Sequence, residues 1–287
     1  MISLRQLVEA GVQFGHVVSK RSPRMDEYIW GVRNRVHLID VSKTALQLEK
    51  AGQYLEKVAS QGKQILWVGT KKIAQDPVRQ AATESGMPYV DHRWVGGTLS
   101  NHAQVKKSLT KLLRYEEILA NPERYPYYTK KELNVISKTA GRLEKLIGGI
   151  RGLKWPVGAI VLVDIGRAAS ALKEAVGAGV PIVALVDTDC DPSLVDWVIP
   201  ANDDAPASVN LLINYLGQFV KRGADIAAAD RKKASIEKNV DKKDGFVKRP
   251  FVKHTAAPVA VEKTVGVVEA SSALDSVQAE SEVKTEA

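Results

Sequence analysis

Residues 101–147 carry two apolar stripes at alternating spacings of three and four. Val105, Leu109, Leu112 and Leu119, with Glu116 on the same stripe, make the first; Leu133, Ile136, Ala140, Leu143 and Ile147 make the second. Such spacing builds a narrow coiled-coil seam, enough for two helices to pack on each other and little else. The remaining faces are therefore solvated, and across this stretch they carry ten Lys/Arg against five Glu. The chain must close a compact body on either side of a projecting helical hairpin. A rigid basic arm of this kind suits gripping a large polyanion better than enclosing a small substrate.

Strand-like runs flank the hairpin. Ile65-Leu66-Trp67-Val68 leads through Gly69-Thr70-Lys71-Lys72 into a helix ending near Ser85. Met87 to Val90 reads as the next strand, followed by a long polar loop from Asp91 to Asn101. Beyond the hairpin, Ala159 to Val163 is a buried strand, Ala168 to Val176 a helix, Pro181 to Val186 and Val195 to Ile199 strands, and Ala207 to Val220 a helix. Strands alternating with helices imply parallel pairing with right-handed crossovers, hence an α/β layered sheet covered on both faces. At the N-terminal end, Leu4, Leu7 and Val8 have helical spacing, and Gly11 to Arg24 reads as an exposed loop. Tyr28-Ile29-Trp30 and Val36 to Ile39 form a hairpin with Arg33 and Arg35 at its tip. Val41 to Ser60 reads as a helix with Ser42 as N-cap. Trp30 and Trp67, among apolar neighbours, are expected in the core.

This divides the chain into a globular domain, 1–100 with 150–226, an inserted hairpin, 101–149, and a charged tail, 227–287. The tail has too few large apolar side chains at a steady period to offset ordering entropy, so disorder is expected there.

The single cysteine, Cys190, excludes an internal disulfide or a cysteine-based zinc cluster and fits a reducing, cytosolic setting. No apolar run approaches the roughly 20 residues of a membrane span, and the N-terminus lacks an export h-region, so a soluble chain without a membrane partner is expected. Catalytic motifs fail on inspection. Gly177-Ala178-Gly179 has Ile182 where a dinucleotide fingerprint needs its third glycine, and it follows a helix where a strand is required. Gly69-Thr70-Lys71-Lys72 lacks the glycine spacing of a phosphate loop. No Gly-x-Ser-x-Gly elbow or His-Glu-x-x-His helix exists. No catalytic residue and no small-molecule substrate are expected.

A metal has better support. Asp187 ends one strand, Asp189 and Asp191 lie just beyond, and Asp203 and Asp204 follow the next. If the Phe14-Gly15-His16 loop crosses that sheet edge, His16 with Asp187, Asp203 and Asp204 has the donor chemistry for zinc or magnesium. Helix capping by Asp191 and Asp204 is the competing explanation. No cofactor is otherwise required.

Nucleic-acid binding has the broadest support, together with a net charge of +8. Lys20, Arg21 and Arg24 lie in a basic loop, Arg33 and Arg35 on the hairpin tip, and Lys71 and Lys72 after a strand. Arg93 and Trp94 lie in the Gly-Gly loop, Lys106 and Lys107 open the arm, and Lys130 and Lys131 follow the Arg124–Tyr128 stretch at its tip. Lys and Arg supply phosphate contacts, and exposed Trp or Tyr can stack on unpaired bases.

Several strings are more specific. Gly11-Val12-Gln13-Phe14-Gly15-His16, Val36-His37-Leu38-Ile39-Asp40 and Val68-Gly69-Thr70-Lys71-Lys72 come first. They are followed by His92-Arg93-Trp94-Val95-Gly96-Gly97-Thr98-Leu99-Ser100-Asn101, then Leu143-Glu144-Lys145-Leu146 with Gly148-Gly149-Ile150. Val186-Asp187-Thr188 and Val198-Ile199-Pro200-Ala201-Asn202-Asp203-Asp204 complete the series. In this order, over residues 2 to 224, they closely resemble the family of bacterial small-subunit ribosomal protein number two. The resemblance implies a flavodoxin-like parallel sheet with a protruding coiled-coil hairpin. It implies a cytoplasmic protein of the small ribosomal subunit, between head and body on the solvent side. Its expected partners are small-subunit rRNA and neighbouring ribosomal proteins, including ribosomal protein number one, which it helps dock. Some family structures carry a metal between globular domain and hairpin, which favours His16 and the aspartates. Two rivals stand beside this reading: a non-ribosomal scaffold whose hairpin binds a partner protein, and a nucleotide-binding enzyme on a Rossmann-like sheet.

Overall fold

The strands of the main sheet are continuous apolar runs because both of its faces are covered. In the computed structural model, which describes the backbone of residues 2–244 and the side chains of residues 2–232, β4 (Ile65–Val68), β6 (Ala159–Val163) and β7 (Ile182–Val186) are buried at every position. Successive side chains alternate between faces. Ile65, Trp67, Val161, Val163, Val183 and Leu185 enter one core with Leu48, Leu55, Val78, Leu212 and Leu216. Leu66, Val68, Ile160, Leu162, Ala184 and Val186 enter the other.

β5 (Tyr89–Val90) and β8 (Trp197–Pro200) complete a five-stranded sheet of order β5-β4-β6-β7-β8, with every pair parallel. Counted along this sheet alone the order is 2-1-3-4-5, the flavodoxin order, with its reversal between β4 and β6. The first core is roofed by α1 (Leu4–Glu9), α2 (Val41–Ser60), α3 (Lys72–Ser85) and α7 (Pro206–Asp244), the second by α6 (Ala169–Gly177) and the hairpin root.

The hairpin consists of α4 (His102–Ala120) and α5 (Lys130–Ile147). Leu112, Ala140 and Ile147 join the second core, so the arm grows out of the body's own packing. Arg151, four residues beyond the end of α5, donates from Nη1 to Glu116 Oε2 at 3.0 Å and also pairs with Glu144. Glu116, the one charged residue on the apolar stripe, is thereby neutralised. Near the tip the seam departs from strict spacing: Ile118 is buried and Leu119 is exposed. Gly149 is needed where the chain returns, because a Cβ there would lie 2.3 Å from the Tyr89 carbonyl oxygen.

Other expectations need correction. Gly11 to Arg24 is not simply a loop: it contains β1 (Phe14–Val17), which pairs antiparallel with β3 (Val36–Ile39), itself paired with β2 (Ile29–Arg33). Gly15 permits β1 to cross the sheet edge, since a Cβ there would lie 2.7 Å from the Thr188 side chain. The N-cap of α2 is Asp40, not Ser42; its carboxylate accepts from the Ser42 and Lys43 amides at 2.9 and 3.4 Å. Trp67 is buried as expected, but Trp30 is 76% exposed, at a bulge where β2 slips against β3. Helix α7 does not stop at Val220 or at Ala227 but runs to Asp244. The rest of the expected tail, 245–287, lies outside the described residues. Among the described residues no helix is long and apolar enough to cross a membrane.

Candidate functional site

Two constructions stand out, a basic surface and an acidic pocket. The loop after β5 feeds the hairpin, and its shape is set by one carboxylate. Glu174 of α6 accepts from Trp94 Nε1 at 3.0 Å, from the Gly97 and Leu99 amides at 2.9 and 3.0 Å, and from the Ser100 amide at 3.4 Å. Burial raises the Glu174 pKa, but these donors outweigh it and hold the carboxyl below its ordinary value. Asn101 then caps α4 through its side chain. Arg93, next to the anchored Trp94, points into solvent.

Most of the expected phosphate-binding cations lie at the surface. Lys20, Arg21, Arg24, Arg33, Arg35, Lys72, Arg93, Lys106, Lys107, Lys130 and Lys131 are all exposed. Arg21 and Arg24 are shared with acidic neighbours, Asp26 at 3.2 Å and Asp191 at 3.1 Å. Asn34 and Arg35 form the β2–β3 turn with φ of 52° and 61°, which places Arg33 and Arg35 at the tip of a tight ribbon.

Two of the thirteen are turned inward. Trp94 is 8% exposed with its N–H committed to Glu174, so its ring is a peg for the loop and not a platform for a base. Lys71 is buried: its Nζ donates to Asp203 Oδ1 at 2.8 Å and lies 2.5 Å from Asp204 Oδ1 and 3.9 Å from Asp164 Oδ2. Its charge is spent inside the protein.

That inward turn belongs to the acidic pocket, built on the C-terminal edge of the sheet where strand after strand delivers a carboxylate. Asp164 follows β6, Asp187 and Asp189 follow β7, and Asp203 and Asp204 follow β8. β1 brings His16 across, its amide donating to Thr188 Oγ1 at 2.9 Å. His16 Nδ1 lies 3.0 Å from Asp187 Oδ2, while Nε2 faces Asp204 Oδ2 at 3.4 Å and Asp189 Oδ2 at 3.7 Å.

Five carboxylates thus surround Lys71 and His16. Burial, aided by Asp164 and Asp187, pushes Asp203 up to about 6 in spite of Lys71. Burial likewise raises Asp187. Desolvation pulls the His16 imidazole down, but Asp187, Asp189 and Asp204 outweigh it and raise its pKa.

The metal-ligand expectation is refined by this geometry. Ligand atoms of His16, Asp203 and Asp204 lie within 4.8 Å of one another, whereas Asp187 sits behind the imidazole, its Oδ2 3.0 Å from Nδ1. Asn202 Oδ1 accepts from the Asp204 and Ala205 amides at 2.8 and 3.2 Å, shaping the turn ahead of α7, while the Asp204 carboxylate faces Lys71 and His16. Asp191, by contrast, does cap, accepting from the Ser193 amide at 3.0 Å. A nitrogen and two carboxylates amid excess negative charge fit a divalent cation, with the Lys71 ammonium as its built-in competitor.

The reversal of strand order, where flavodoxin-type folds bind their ligands, lies at this same edge. Here it presents carboxylates, which repel a nucleotide's phosphates. The fold and the site together define an α/β protein that offers a basic exterior and a projecting arm.

A family model described as Ribosomal protein S2 matches residues 7–223. Over 236 residues the chain is 40% identical to the small ribosomal subunit protein uS2 of Acidobacterium capsulatum, covering 82% of this chain and 78% of that one. The chain belongs to the ribosomal protein S2 family.

Proposed function

We propose that this protein is a structural component of the small ribosomal subunit, in the cytoplasm, that binds small-subunit rRNA and has no catalytic activity. One observation carries the reading: eleven exposed cations recur on loops, a β-ribbon tip and the helical arm of a chain in this family. The body supplies a rigid base, the exposed cations neutralise rRNA phosphates, and the arm braces against RNA and neighbouring proteins. Docking of ribosomal protein number one is supported by Trp30, a large apolar side chain left exposed on the three-stranded sheet. Trp30 has apolar neighbours in the sequence, and only the bulge turns it outward.

The test is sedimentation of a tagged copy in native lysate. Stoichiometric migration with small subunits, resistant to moderate salt, is expected. Persistence in light fractions, with the endogenous copy depleted, would favour the scaffold reading. Free RNA affinity should fall by roughly 0.7–0.9 log unit per log unit of salt for each phosphate contact, and a flat response would refute the electrostatic grip.

A second reading concerns the acidic pocket. His16, Asp203 and Asp204 would hold a zinc or magnesium ion, which would tie β1 to the end of β8. Calorimetric titration of the full chain with each metal tests this. Saturable binding that His16→Ala abolishes is expected, and identical isotherms for the two proteins would remove the site.

A further inference from the structure

At the far end of the arm, between Ala120 and Lys130, three tyrosines gather in a way the turn itself does not need. Tyr125 is half-buried, with the Glu117 carboxylate of α4 near its hydroxyl. Tyr128, also half-buried, lies beneath Tyr127 with ring centroids 4.7 Å apart at 43°. Tyr125 and Tyr128, themselves 6.4 Å apart, close the turn. Tyr127 lies over them and is 66% exposed. Pro122 and Pro126 restrict the backbone around it, so little ordering entropy remains to be lost when a ligand arrives.

Exposed cations flank this ring. Arg124, Lys130 and Lys131 are exposed three and four positions from Tyr127. Of the nearby acids, Glu117 faces the Tyr125 hydroxyl, and Glu132 is engaged in capping α5: it accepts from the Thr129 amide at 2.8 Å and the Thr129 hydroxyl at 2.9 Å. Glu123, like Arg124, Lys130 and Lys131, is exposed.

Resting on the RNA-binding reading above, we infer that the tip is a stacking site for an unpaired RNA nucleotide. The open side of Tyr127 receives the base, and Arg124, Lys130 and Lys131 hold the flanking phosphates. A base-paired helix hides the faces of its bases and cannot use such a ring, so the occupant is a single-stranded segment. A protein partner is the poorer fit, since the patch presents one exposed aromatic ring, Tyr127, flanked by cations.

The test uses the full chain and a short single-stranded oligouridylate, read by fluorescence anisotropy and by short-wave ultraviolet cross-linking with peptide mapping. An adduct on the Tyr127 peptide is expected. Tyr127→Ala should abolish it and weaken binding about fivefold or more, with an unchanged melting curve because the side chain is exposed. Tyr127→Phe should keep both adduct and affinity, since stacking uses the ring and not the hydroxyl. The double change Lys130→Ala with Lys131→Ala should reduce the salt dependence while leaving the adduct in place.

Equal affinity of Tyr127→Ala and the parent chain would overturn the inference. So would equal competition by duplex RNA, or a Tyr127 adduct to protein alone in purified small subunits. Sedimentation separates this inference from the ribosomal reading. A chain absent from small subunits that still forms the Tyr127 adduct refutes the latter only. A chain on small subunits with no tip adduct to RNA, there or with the oligouridylate, refutes the former only.

Discussion

Trp94 Nε1 donates to Glu174 Oε1 at 3.0 Å, joining the loop that launches the hairpin to a helix 80 residues later in the chain. The same carboxylate takes the Gly97, Leu99 and Ser100 amides, so one side chain holds the most specific string in the sequence. Removing it leaves several partly buried donors without acceptors. Glu174→Ala should therefore cost about 2 kcal/mol, a loss of roughly 4–8 °C in Tm for a body of this size. Hydrogen exchange at Gly97 and Leu99 should accelerate more than exchange in β6 or β7. Uniform acceleration across the sheet would mean that Glu174 acts on global stability and not on the loop.

The same group predicts an acid response. The Glu174 carboxyl is held below its ordinary 4.5 by the donors of the loop. A depressed folded pKa means that the contribution is present in full above the unfolded value and is lost as pH falls through the folded one. The melting difference between the parent chain and Glu174→Gln should be constant from neutral pH down to about 5 and shrink below about 4. A difference that widens in acid would contradict this assignment of the charge.

Lys71 and Lys72 are adjacent, and a sequence reading treats them alike, but the structure separates them. Lys71 neutralises Asp203 and Asp204 inside the pocket, and Lys72 is solvated. Lys71→Met leaves a buried carboxylate without its partner and should cost about 3 kcal/mol. Lys72→Ala should change stability by no more than about 0.5 kcal/mol. Denaturant unfolding of the two variants checks both values, and equal stability would refute the division of labour.

The architecture was legible because its signals are periodic. Two heptad-like stripes announced the arm, and unbroken apolar runs such as Ile65–Val68 announced strands buried on both faces. What stayed hidden depends on long-range placement. Glu174 looks like any solvent-facing helix residue until the loop from Trp94 to Ser100 is folded over it. Trp30 reads as core, yet a register slip in β2 turns it outward. Lys71 reads as a loop cation, since nothing local reveals that the residues after β8 will meet it. Likewise His16 was placed with the aspartates by their shared edge, but only geometry shows that Asp187 stands behind its ring.

Anchoring of Trp94 gives its neighbour Arg93 a defined direction, and this leads to the last prediction. Arg93 sits on a loop fixed from beneath, while Lys106 and Lys107 lie one turn into α4; all three are exposed. None has a packing role, so Arg93→Glu and the double change Lys106→Glu with Lys107→Glu should each shift stability by no more than about 0.5 kcal/mol. On the proposed function each puts negative charge against rRNA phosphate. Incorporation into small subunits should therefore fall severalfold in competition with the parent chain, and more steeply at higher salt. Quantitative mass spectrometry of purified subunits from cells expressing both copies gives the ratio directly. A ratio equal to that of the input, from variants that melt normally, would remove these three cations from the RNA contact and leave the arm's tip and the β-ribbon to carry it.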